Sequence, residues 1–183
     1  MALGRYGCIL SLLVATGCGG ESREYILEGP WQLPADIAAE TDDYNIEYDN
    51  GPAWNGGSNC SATFTPGAQK LSALLLDRFP QITEIGGYAC RANTADGSKQ
   101  SIHGTGRALD VFVPKLGDQA DNPMGDPIAH WLLLEAEDLG VQLVIWDQSI
   151  WNGSARAPKH SSYGGPHPHD DHLHVELNLV GSE

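Results

Sequence analysis

The sequence predicts an α+β domain, a small antiparallel sheet with helices packed against it. Three observations lead there. Two segments repeat apolar residues at helical spacing behind helix-start signals. Several short segments alternate in polarity or are rich in β-branched residues. The two kinds of segment do not alternate regularly along the chain, as a parallel α/β fold requires.

Residues 1–17 read as a leader. Arg5 gives a short positive region, and Cys8-Ile-Leu-Ser-Leu-Leu-Val14 is an apolar run too short to span a bilayer. Ala15-Thr16-Gly17-Cys18 resembles the lipobox of bacterial lipoproteins, which makes Cys18 the expected lipidation site and the protein an exported one. Residues 18–55 carry Gly19-Gly20, Pro30, Pro34, Gly51-Pro52 and the acids Glu40, Asp42, Asp43, Glu47 and Asp49, and read as an irregular acidic tether. The folded domain is expected over 56–183.

Inside that domain, Thr65 is an N-cap residue and Pro66 suits the first helical position. Ala68, Leu71, Leu74 and Leu75 then recur at helical spacing until Pro80 ends the run. Ile82–Tyr88 reads as a strand with a Gly-Gly break, and Ala108–Val113 as a second strand. Asp126-Pro127 reads as the start of a second helix, with Ile128, Trp131, Leu132, Ala136 and Leu139 facing inward and Gly140 at its end. Val141–Trp146 and His172–Asn178 complete the predicted strands.

Charge and cysteine usage narrow the function classes. The 183 residues hold 10 Lys+Arg against 24 Asp+Glu, a net charge of -14, and loss of the leader makes this one unit more negative. Nucleic acid is therefore not an expected partner, since its binding needs basic surface. Of four cysteines, Cys8 and Cys18 lie in the leader region, leaving Cys60 and Cys90 as one pair. In an oxidising compartment they form a disulfide, worth about 3–4 kcal/mol for a loop of this length.

The chemistry lies in two segments. In His172-Leu-His174-Val-Glu176-Leu177, strand alternation puts the three leucine and valine side chains on the core face and His172, His174 and Glu176 on the other. The two imidazoles share one space, with Cα atoms roughly 6.6 Å apart; spacing alone does not say which meets a metal. The second segment is Ser101-Ile-His103-Gly-Thr-Gly-Arg-Ala-Leu-Asp110. An apolar strand around Asp110 rarely carries a carboxylate without a cation or several donors beside it. Two imidazoles and one carboxylate hold zinc while leaving a fourth position open for water. His167 and His169, flanking Pro168, read as rim residues of the same region. Ile145–Trp151 reads as one wall of a cleft, with Trp151 the exposed tryptophan beside Asn152-Gly153.

The pattern Ser-x-His-x-x-Gly-x-Ala-x-Asp, followed by an acid-x-x-His and a His-x-His, resembles the zinc D-alanyl-D-alanine metallopeptidases, which share a fold with the hedgehog signalling domain. Tyr88-Ala-Cys90-Arg91 ahead of Ser101-Ile-His103 is similar to the extensin-like C-terminal branch. The resemblance covers roughly residues 60 to 178. It implies a hedgehog- and DD-peptidase-like fold with His103, Asp110 and His174 as zinc ligands. It further implies Asp171 as general base, His172 beside the metal, Arg91 on the substrate carbonyl and oxyanion, and Ser101 as a substrate-positioning residue. The substrate class it implies is a short cell-wall peptide, most of all a D-amino-acid linkage in a peptidoglycan stem. The base is Asp where some relatives carry Glu, and Ala89-Cys90 separates Tyr88 from Arg91 where many relatives have Gly-Tyr-Arg. Two other readings remain at this stage: a non-catalytic, zinc-stabilised envelope lipoprotein that binds ligands, and a histidine-rich metal buffer.

Overall fold

The computed structural model describes residues 29–183, so the leader and Cys18 lie outside the described residues. The elements run α1 (Ala35–Thr41), α2 (Pro66–Arg78), β1 (Glu84–Gly86), a 3₁₀ turn (Ile102–Thr105), β2 (Ala108–Phe112), β3 (Lys115–Leu116) and β4 (Gln119–Ala120). They continue with α3 (Asn122–Leu134), α4 (Ala136–Leu139), β5 (Val141–Trp146), β6 (Ser149–Asn152), β7 (His160–Ser162) and β8 (His172–Leu177). Six strands form one antiparallel sheet in the order β1-β2-β8-β5-β6-β7, and β3 and β4 pair by themselves. The α+β architecture expected from the sequence is the one observed.

Register explains how one sheet serves two purposes. Val111 pairs with Leu173, and Leu109 with Val175, which in turn pairs with Val144 and through it Trp151. These side chains share one face and are fully buried or nearly so. α3 lies on β5 and β8, and α2 on β2, so the helices cover that face. Each large apolar side chain buried there stabilises the fold by roughly 1.5–3 kcal/mol. The opposite face carries Asp110, His172, His174 and Glu176, flanked by Ile145 and Ile150. The core face holds the sheet rigid, and the polar face is thereby positioned without contributing to the core.

Local signals account for most element ends. Thr65 Oγ1 accepts from the Ala68 N–H at 3.4 Å, with proline in the first turn of α2. Ala68, Leu71 and Leu75 are buried, whereas Leu74 is 40 % exposed and outside the inward face. Gly140 adopts φ 69° and its N–H closes on the Ala136 carbonyl, the left-handed stop expected there.

Three expectations need correction. The segment read as an acidic tether packs on the domain from Gly29 onward. Trp31 and Ile37 are fully buried and Ile46 is 5 % exposed, all within the main core. Trp31 donates from Nε1 to His130 Nε2 at 3.1 Å, and Tyr44 donates its hydroxyl to the Leu134 carbonyl at 3.1 Å. Glu40, Asp42, Asp43 and Glu47 stay in solvent, so high charge and burial coexist by facing opposite ways. Second, the helix expected from Asp126 begins four residues earlier at Asn122, with Pro127 inside it. Asp126 is not its cap; its buried carboxylate accepts from Asn122 Nδ2 at 3.1 Å and Trp146 Nε1 at 3.0 Å. The run also breaks in two at Glu135, giving α3 and α4. Third, the strand expected over 82–88 is only three residues long.

Burial raises the Asp126 carboxyl to about 6, with Trp146 and Asn122 opposing and Asp147 adding to the rise. A carboxyl whose folded value lies above its unfolded one contributes stability at low pH and loses it as pH climbs through the folded value. Asp126→Asn keeps the acceptor oxygen and removes the charge. Its expected effect is a gain of about 1–2 kcal/mol at pH 7–8 that closes by about pH 4, read from urea unfolding at several pH values.

Cys60 and Cys90 are bonded, with Cα atoms 5.6 Å apart across 30 residues of chain. The bond ties the segment before α2 to the one that leads into Arg91. Replacing both with serine is expected to lower stability by about 3–4 kcal/mol under oxidising conditions, with no difference from the reduced wild type.

Candidate metal centre

His103 sits in the 3₁₀ turn, where the Gly104 N–H closes on Ser101 and the Gly106 N–H on His103 itself. The turn places the imidazole at 6 % exposure, above the polar face of β2 and β8. Asp110 lies in β2 directly opposite His174 of β8, a pairing that points both side chains the same way. Gly87, at φ 105°, follows β1; a Cβ there would lie 2.6 Å from Asp110 Oδ2. Glycine is what lets the chain pass beside this carboxylate.

The three side chains converge. Asp110 Oδ1 is 3.6 Å from His103 Nε2 and 3.3 Å from His174 Nδ1. One ligand atom from each of His103, Asp110 and His174 lies within 4.8 Å of the other two, a group able to hold a metal ion. His103 Nδ1 is buried without a hydrogen-bond partner. Burial, assisted by His174, lowers His103 to about 4, so it is a neutral imidazole with one nitrogen lone pair to give. Two imidazoles and one carboxylate converging on one point are a donor set that fits a divalent cation.

His174 is tuned from both sides. Burial alone would lower it, but Asp110 and Glu176 raise it to about 9. Burial would likewise raise Asp110 and Glu176, yet their contacts with His174 hold both below the usual carboxylate range. A metal must therefore displace a proton from His174 Nδ1. Metal affinity is expected to rise about tenfold per pH unit between roughly pH 6 and 8, measurable by calorimetry in two buffers of different protonation enthalpy.

His172 pairs across β2 with Phe112, and its Nε2 is 3.7 Å from Asp110 Oδ1. Its Nδ1 lies 2.7 Å from Asp171 Oδ1. The carboxylate accepts, so this contact holds a proton on Nδ1 and leaves Nε2 turned toward the ligand group. Asp171 is half-exposed.

A cleft of about 210 Å³ is lined by two of the three candidate ligands, His103 and His174, together with Glu176; Asp110, His172 and Asp171 lie outside its lining. Arg91, Ser101, Ile145 and Ile150 are also in its lining. Arg91 is exposed and donates to the Ala92 carbonyl at 3.2 Å, while Ser101 is 4 % exposed. Trp151 does not line the cleft. Its side chain is fully buried on the core face, and the cleft residue is its neighbour Ile150. His169 lines the cleft as expected but lies deeper than a rim residue: it is 7 % exposed, with its ring 4.9 Å from that of His172. Its Nδ1–H donates to the His167 carbonyl at 2.7 Å. His167 is exposed at the cleft mouth, as a rim residue should be.

One residue the sequence placed on the right face without a role is Glu176. It is 7 % exposed; its Oε1 lies 3.1 Å from His174 Nε2, and its Oε2 accepts from the Tyr48 hydroxyl and Gln142 Nε2, each at 3.0 Å. The strand period alone could have flagged it, because a carboxylate two residues after a candidate ligand shares its face. Tyr48 carried no such signal.

Fold and site together define an α+β protein whose antiparallel sheet presents a buried His-Asp-His group able to hold a metal ion. The chain belongs to the family described as VldE, C-terminal domain, whose model matches residues 60–174. The match spans the disulfide, Arg91, Ser101 and the whole His-Asp-His group, and stops short of Glu176. No curated protein and no solved structure matches the chain.

Proposed function

We propose that this protein is an exported zinc metallopeptidase of the D-alanyl-D-alanine type that hydrolyses a short cell-wall peptide. The observation that carries the reading is the convergence of His103, Asp110 and His174 on one point, two of them lining a cleft, with the His172–Asp171 pair beside them. Zinc in this donor set supplies Lewis acidity and a nucleophile at neutral pH. The residues supply the rest. Asp171 keeps the proton of His172 on Nδ1, so Nε2 can take a proton from the attacking water and hand it to the leaving amine. Arg91, the guanidinium in the cleft lining, meets a substrate carbonyl oxygen in this reading as negative charge grows there, a contact of about 3–4 kcal/mol in comparable sites. Ser101 offers a hydroxyl for positioning substrate. Ile145 and Ile150 give a small apolar wall suited to an alanine methyl.

The cleft's volume favours a substrate of a few residues over a folded protein. The Cys60–Cys90 bond supports an oxidising compartment outside the cytosol. A lipid on Cys18 would hold the enzyme at a membrane facing the peptidoglycan stem peptide.

The test is digestion of defined muropeptides by the zinc-loaded protein, read by mass spectrometry. The expected result is a new amine product of D-amino-acid mass, lost on chelation and restored by zinc. Tight one-to-one zinc binding with no product from any muropeptide would instead favour a zinc-stabilised binding lipoprotein, and several weakly held ions per chain a metal buffer.

A further inference from the structure

We propose that Tyr48 and Glu176 are positioning residues for the metal ligand His174, which makes the N-terminal segment a working part of the metal centre. The inference rests on the zinc reading above and extends it to residues outside the matched segment 60–174.

Glu176 faces His174 Nε2 at 3.1 Å through Oε1. With that nitrogen's proton donated to the carboxylate, Nδ1 is the atom left to face Asp110 and a metal. Glu176 is in turn fixed through Oε2 by the Tyr48 hydroxyl and Gln142 Nε2. The Gln142 amide is oriented by the next residue of the same segment: the Asp49 N–H donates to its Oε1 at 2.9 Å. The segment itself is clamped to β8. Arg107, 3 % exposed, donates to the Leu177 carbonyl at 2.7 Å and to the Asp49 carbonyl at 3.0 Å, and the Asp49 carboxylate accepts from the Leu179 N–H at 2.7 Å. Residues 48 and 49 thus reach the ligand through one direct and one amide-relayed path, and both end on the same carboxylate oxygen.

The segment's other tyrosine supplies the control. Tyr44 also ties it to the domain, but through the Leu134 carbonyl, away from the ligands. Zinc affinity of the full chain is measured by chelator competition for wild type, Tyr48→Phe, Tyr44→Phe and Glu176→Gln, with metal-free melting temperatures alongside. The expected result is zinc weakened on the order of tenfold in Tyr48→Phe and roughly 10–100-fold in Glu176→Gln, against wild-type affinity in Tyr44→Phe. Metal-free Tyr48→Phe and Tyr44→Phe should melt alike. Wild-type affinity in Tyr48→Phe, or equal weakening in Tyr44→Phe, overturns the positioning role and leaves the metal centre standing. A wild-type chain that takes up no zinc overturns the metal centre itself, and this inference with it.

Discussion

Asp110→Ala is expected to lose zinc binding by about 10³-fold and, with it, the peptidase activity proposed above, while the domain stays folded. A structural zinc contributes roughly 10–16 kcal/mol of apparent binding free energy, and removing one of three protein ligands forfeits on the order of a quarter to a third of it. Asp110 is also the only carboxylate in the group, so the variant leaves two imidazoles without the anion that neutralises the ion. The fold should survive because Asp110 points away from the core: its strand neighbours Leu109 and Val111 carry the burial, at 1 % and 0 % exposure. Zinc stoichiometry by elemental analysis and far-ultraviolet circular dichroism check the two halves separately. One zinc per chain at wild-type affinity in Asp110→Ala would remove the His-Asp-His assignment.

Asp110 and His174 were legible in the sequence because a strand has a period of two, and the period fixes which side chains share a face. The alternation in His172–Leu177 placed both imidazoles opposite the core, and the observed register sets Asp110 across from His174. Thr65-Pro66 and Gly140 were legible for a different reason, since cap chemistry is local and needs no tertiary context. What failed was decided by tertiary contact. Asp126-Pro127 carries a start signal similar to that of Asp121-Asn-Pro123, but the Asp126 carboxylate is engaged by Trp146 Nε1 and Asn122 Nδ2 within the helix and does not cap it. The Asn152-Gly153 pair beside Trp151 suggests exposure, whereas the strand period puts its indole on the core face. β5 and β6 are joined by the two residues Asp147 and Gln148, at φ 37° and 61°, a tight hairpin turn that pairs Val144 with Trp151 and so turns the indole to the core. The segment from Gly29 to Asn50 was hidden by its composition. Three apolar anchors among many acids fall below any compositional threshold, yet Trp31, Ile37 and Ile46 suffice once α3 and β6 offer them a surface.

His172→Ala and Asp171→Ala are each expected to lower kcat by roughly 10²–10⁴-fold with zinc content unchanged, and the double variant to lose no more than the worse single one. The resemblance to the metallopeptidases makes Asp171 the base by itself. The geometry argues for a pair. Asp171 is half-exposed and its Oδ1 is engaged at 2.7 Å by His172 Nδ1, whereas His172 Nε2 faces the ligand group, 3.7 Å from Asp110 Oδ1. If the two act as one proton-handling unit, removing either disables it, and the second substitution finds nothing left to remove. Were Asp171 the base alone, His172→Ala would cost only the few-fold expected of a lost neighbour, and the costs of the two would add. A third variant separates orientation from proton transfer: Asp171→Asn can still contact Nδ1 but no longer favours a proton there, so a fraction of His172 should carry its hydrogen on Nε2 and turn its lone pair away from the ligands. Its kcat is expected to fall nearly as far as in Asp171→Ala, with KM little changed. Near-wild-type turnover in Asp171→Asn, or strictly additive losses in the double variant, would return His172 to a bystander beside the metal.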